Sequence, residues 1–132
     1  MTGGIADRLG PTRDAVLGLH RALLAAERIA WEAMHGRIAG NAEFLQLAIH
    51  DPWFLWLRPM TALIAALDEA MIDQSPESAT RLPVLLAAVR ELLHPDDSGN
   101  DFQQRYHELV QRSPDVAVAH GVFMKELARA LR

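Results

Sequence analysis

Cysteine is absent from all 132 residues. Its absence excludes disulfide staples, thiolate metal sites and a cysteine nucleophile, and it fits a reducing compartment. Lysine is almost absent too: Lys125 stands alone, no Lys/Arg block occurs, and the net charge is −4. Nucleic acid is bound through a cationic footprint that releases counterions, so no nucleic-acid partner is expected. No stretch approaches the ~18–20 consecutive apolar residues of a spanning helix, because Arg58, Asp68 and Glu69 interrupt the longest candidate, so no membrane partner is expected either. The opening MTGGIADRLGPTRD lacks the apolar run of a secretory signal, and a cytoplasmic location is the expectation. Metalloprotease HExxH, the GxSxG elbow and a Gly-rich phosphate loop are missing, so the reading leans away from an enzyme, with a metal-dependent one as the third class after an interaction module and a ligand-binding bundle.

Half of the residues are hydrophobic, and they recur at helical spacing with no alternation or Asn-Gly hairpin signal. The expectation is one all-α domain over 1–132: a compact four-helix-bundle-like fold with a short extra helix and a broken last helix. Residues 1–10 read as a loose tail before a first helix that starts at Pro11–Thr12 and ends near Gly36 or Ala39. Leu17, Leu24, Trp31 and Ile38, seven apart, read as its inward seam. A short helix follows over residues 42–49. Asp51–Pro52 then signals a new start, because Asp accepts an orphan N–H and Pro at the first position forfeits none. That second helix should run to about Asp73 with a kink near Leu55 imposed by Pro59. A third carries Leu82 to Leu93 and stops at His94–Pro95. The fourth comes in two pieces, Asp101–Arg112 and onward from Ser113–Pro114.

The segment HDPWFLWLRPM, His50–Met60, poses the question of a site most directly. Its aromatic and apolar residues fall at helical spacing, which assigns them to the core, with only the indole N–H groups needing partners.

Histidine carries what chemistry the chain suggests. Two Glu-x-x-His pairs, Glu32–His35 and Glu91–His94, repeat the spacing by which one helix face offers two ligands to a metal. In an up-down-up-down bundle the first and third helices end together, beside the start of the second. One end would then gather Glu32, His35, His50, Glu91 and His94 as a divalent-metal site. Helix capping explains the same residues, since His in a last turn suits the carbonyl end of a helix and Glu three residues earlier pairs with it. A second set, His20, Glu27 and His120, could line a haem or small-ligand pocket between the first and last helices. A lone histidine on an apolar face is more often a core residue. No cofactor is required by either set.

The stretches EFLQLAIHDPWFLWLRPMTALIAALDE and DFQQRYHELVQRSPDVAVAHG resemble a family of short, uncharacterised bacterial all-helical proteins. The His50–Asp51–Pro52 to Pro59 phrase is the most specific part of that resemblance. It implies a cytoplasmic bacterial protein and supplies no catalytic residues. The expected function is therefore a non-enzymatic interaction or regulatory module. It would self-associate as a homodimer through the surplus apolar residues of the first helix (Leu19, Ala22, Ala25, Ala26). A metal- or small-ligand-binding bundle is the alternative.

Overall fold

The computed structural model describes residues 4–73 and 75–132, and every regular element among them is helical. In chain order these are α1 (Ile5–His35), α2 (Asn41–His50), a 3₁₀ segment (Pro52–Leu57), α3 (Arg58–Ile72), α4 (Ser78–Leu92), α5 (Asp101–Arg112) and α6 (Pro114–Ala130). No helix among the described residues is long and apolar enough to cross a membrane.

The start of α1 corrects the sequence reading. Residues 5–10 are not a tail but the first turns of a 31-residue helix, with Pro11 inside it. Its inward stripe is Ile5, Leu9, Thr12, Val16, Leu19, Leu23 and Glu27, all buried at spacings of three or four. Leu17, Leu24 and Trp31 flank that stripe, half-buried, while Ile38 lies beyond the helix end. Leu19, expected on a dimer face, is fully buried in the core.

α1 is the axis of the molecule. It packs most extensively on α6, then on α3. Both run antiparallel to it. Near its N-terminus Arg8 Nη2 donates to Ala130 O at 3.2 Å, Thr12 Oγ1 to Glu126 O at 3.4 Å, and Arg13 Nε to Asp68 Oδ1 at 2.6 Å. Farther along, Trp56 Nε1 donates to Glu27 Oε2 at 2.9 Å. α4 continues round from α3, and α5 lies on α6. The side chains between them form one apolar cluster that includes Leu9, Leu23, Met60, Val89, Tyr106 and Phe123.

At ~1.5 Å per residue α1 spans roughly 46 Å, about twice the 15-residue α4. Its last turns overhang and are covered by a local structure of their own. Gly36 ends the helix at φ 96, a conformation that favours glycine because it has no Cβ. Glu32 Oε2 accepts Ile38 N–H at 2.8 Å and Glu43 Oε2 accepts Ala39 N–H at 2.9 Å, so two carboxylates fix the reversal into α2. Asp51 then caps the 3₁₀ segment, accepting Trp53 N–H at 2.8 Å with Pro52 in the first position. Trp56 and Leu57 from this segment are buried as expected, whereas Trp53, also expected in the core, is half-buried and Phe54 is buried instead. Pro59 does not kink a continuous helix. It sits in the first turn of α3, where a missing N–H removes no helical bond, and the 3₁₀-to-α change absorbs the bend.

The junctions of α5 follow local rules. Asn100 and Gln103 form a reciprocal capping box. Ser113 Oγ accepts Val116 N–H at 3.3 Å, separating α5 from α6 as the Ser-Pro signal predicts. Gln103, a polar residue of α5, is buried, and its Nε2 donates to Glu91 O at 2.8 Å. One seam stays comparatively open: α4 and α6 meet only narrowly.

Candidate functional site

The open seam is a groove of roughly 740 Å³ between α4, the end of α6 and the start of α1. Leu82 and Leu86 form its buried floor, Leu131 its exposed far wall, and Arg8, Arg90 and His94 its polar edge. A second hollow of roughly 340 Å³ shares Arg90, His94 and Leu131 with it and extends toward Met124. Leu82, Leu86, Arg90 and His94 follow one another four apart and therefore lie along one face of α4 and its extension. Arg8 is anchored through the Ala130 carbonyl, and neither Arg8 nor Arg90 forms an ion pair among the described residues. Glu91 is the groove's single carboxylate, so the edge carries excess positive charge on an acidic protein. Such a surface can bury apolar groups and hold anionic ones. Sequence reasoning missed it: Arg8 lay in a supposed tail, and Arg90 is an ordinary polar interruption until α6 is seen opposite it.

The expected metal cluster is not assembled. Among the described residues no three His, Asp or Glu side chains come together as a metal-holding group. Glu32 is occupied by Ile38 N–H and lies 3.7 Å from Arg28. His35 stacks on Trp31 at 4.5 Å, and its Nδ1 bonds the Trp31 carbonyl at 3.1 Å. His50 is exposed at the end of α2. Glu91 and His94 belong to the α4–α6 groove, where His94 Nε2 faces Asp96 at 4.0 Å. The physical reason is helix length. α1 overshoots α4, so two helices that point the same way do not end together.

The second set, His20, Glu27 and His120, is also divided. Glu27 receives an indole N–H, from Trp56, rather than an imidazole. His120 Nδ1 is 2.5 Å from the hydroxyl of fully buried Tyr106. Burial pushes the Tyr106 phenol well above its ordinary range, so the hydroxyl keeps its proton and donates to a neutral imidazole. No hydrogen bond or ring contact joins His20 to His120 among the described residues.

Burial lowers the pKa of both His20 and His120 below the ordinary 6.5. Each binds its proton more weakly folded than unfolded. The stability they support is therefore complete above pH 6.5 and is lost as pH falls through the lower folded values. Urea unfolding midpoints should decline below that pH, and a His20→Gln/His120→Gln double variant should flatten the decline. The slope is bounded by about 1.4 kcal/mol per pH unit per histidine, and screening at these half-buried sites keeps it well below that bound. Wild-type midpoints that rise on acidification would contradict the assignment.

No protein-family model, curated protein or solved structure matches this chain significantly.

Proposed function

We propose that the chain is a non-enzymatic interaction or regulatory module that self-associates, with α2 of a second copy seated in the α4–α6 groove. The observation that carries this reading is that one chain holds a complementary donor and acceptor. α2 is a largely apolar helix with no buried residue. Ala42, Leu45 and Ile49 project outward at i, i+3 and i+7, the spacing by which an amphipathic helix fills a groove. Leu45 is 57% and Ile49 47% exposed, values that call for a partner surface. The groove runs beside α4 from Leu82 to His94, about 18 Å at helical rise, and α2 with its 10 residues is about 15 Å long. Glu43, beside the outward stripe, holds Ala39 N–H through one carboxylate oxygen and would bring its negative charge toward Arg8 and Arg90 of the second copy. Two-fold exchange of α2 gives each copy one donor and one acceptor and closes the assembly.

The test is oligomeric state by multi-angle light scattering. Wild type should be dimeric at tens of micromolar, and both Leu45→Glu/Ile49→Glu and Ala87→Glu/Arg90→Glu should be monomeric with unchanged helicity. Mixing the two variants should restore a dimer, because one intact α2 meets one intact groove. A monomeric wild type, or a dimer that neither variant disturbs, overturns the reading. The groove's volume also lies within the ~300–1,000 Å³ range of small-molecule pockets. A monomer that binds decanoate saturably, and loses it on Arg90→Glu, would put a small anionic amphiphile in place of the second copy.

A further inference from the structure

Away from the groove, a cavity of roughly 580 Å³ lies between the second half of α1, the start of the 3₁₀ segment and α5. Glu27, Ala30, Met34, Trp53, Arg105 and Arg112 line it. Glu27 is only 6% exposed, and its one partner among the described residues is the neutral Trp56 indole at 2.9 Å. A buried carboxylate is costly unless a cation or several donors compensate it, and among the described residues no cation forms an ion pair with this one. Trp53 Nε1 is the only buried side-chain nitrogen or oxygen among the described residues that has no hydrogen-bond partner. Buried donors without acceptors are rare enough to require an explanation. Glu27 and Trp53 both line the cavity, the first a buried carboxylate with a neutral partner, the second an indole whose N–H is buried without an acceptor.

The rim has the opposite character. Arg105 and Arg112 stand at the mouth, both exposed. Arg105 has one solvent-facing neighbour, Asp101 at 3.5 Å, and Arg112 has no ion pair among the described residues. Glu108 lies between them on α5. Ala30, Ala33 and Met34 supply an apolar wall.

From this arrangement we infer a binding site for a small zwitterion of the amino-acid type. Its ammonium group would be held by Glu27, its carboxylate by the Trp53 N–H and the rim arginines, and its aliphatic side chain by the Ala30–Met34 wall. The charges exclude simpler ligands. Glu27 and Glu108 repel a phosphate or dicarboxylate. Arg105 and Arg112 repel a polyamine. No histidine stands among the lining residues to complete a metal shell. This site is separate from the groove and does not depend on self-association.

The experiment is a titration with L-leucine, read by intrinsic fluorescence and by melting temperature. Trp53 lines the cavity and Trp56 bonds its carboxylate, so emission reports on the site directly. L-leucine should give a saturable emission change and raise the melting temperature. 3-Methylbutylamine, which lacks the carboxylate, and 4-methylpentanoate, which lacks the ammonium, should each bind at least about tenfold more weakly. Glu27→Gln keeps an oxygen for the Trp56 N–H but removes the charge, and should weaken leucine binding by about tenfold or more. Should that variant fail to fold, Trp53→Phe at the half-buried ring tests the same site through the other group and should weaken binding severalfold. Absence of any response to L-leucine, L-methionine or L-phenylalanine up to about 10 mM, well beyond ordinary small-ligand affinities, overturns the proposal. Equal binding of the amine or the acid alone does so as well.

Discussion

Replacing Trp56 by alanine should lower the unfolding free energy by about 3–5 kcal/mol, the cost of emptying a core site of this size. Trp56 is buried, stands 5.3 Å from the Phe102 ring at a tilt, and is the sole hydrogen-bond partner of Glu27 among the described residues. The size of the loss alone would not distinguish packing from polarity, but Trp56→Phe does. It keeps an aromatic ring in place and removes the N–H, leaving the Glu27 carboxylate with no donor, at a cost of about 1–3 kcal/mol. Glu27→Leu should cost a similar amount, because it strands the indole N–H. The double variant Trp56→Phe/Glu27→Leu should be more stable than the sum of the single changes implies, since both orphaned groups disappear together. Urea unfolding followed by far-ultraviolet circular dichroism measures all four proteins without relying on the indole. Strict additivity in that cycle would mean that the buried bond contributes nothing.

How far the sequence reveals this molecule depends on how local each determinant is. Asp51–Pro52, Asn100–Gln103 and Ser113–Pro114 mark helix starts within four residues, and the structure places caps at each. Of the aromatic run after Asp51, Trp56 and Leu57 enter the core as helical spacing predicts, while the 3₁₀ turns bury Phe54 and leave Trp53 half-buried. Where the deciding contact is distant, local reasoning fails. Gln103 carries a polar side chain among other polar residues, yet it is buried because the end of α4 offers it the Glu91 carbonyl. Glu27 lies on the inner face of α1, and its partner comes from 29 residues away and is an indole. The two Glu-x-x-His pairs failed for a geometric reason that spacing does not encode. Their meeting needed α1 and α4 to be of similar length, and α1 is twice as long. The groove arginines illustrate the same limit, since only the path of α6 turns Arg90 from a surface residue into part of an edge.

The second large effect belongs to Leu9, in the segment first taken for a tail. Leu9→Ala should destabilise the protein by about 2–5 kcal/mol. The local sequence argues against a helix there: Gly10 and Pro11 are the two poorest helix formers, and an interior proline costs about 3 kcal/mol relative to alanine. Tertiary contacts must supply what propensity withholds. Leu9 is fully buried, Ile5 is buried a turn earlier, and Arg8 and Thr12 bond the carbonyls of Ala130 and Glu126 on α6. The heptad Leu9, Val16, Leu23 is a seam in its own right, and it is invisible when the helix is started at Pro11. Two substitutions two residues apart should then act with opposite signs. Leu9→Ala empties a packed site, whereas Pro11→Ala, at an exposed position, restores a helical N–H and should raise stability by a fraction of that ~3 kcal/mol. Chemical denaturation of both variants beside wild type decides it, and a silent Leu9→Ala would return residues 5–10 to the tail.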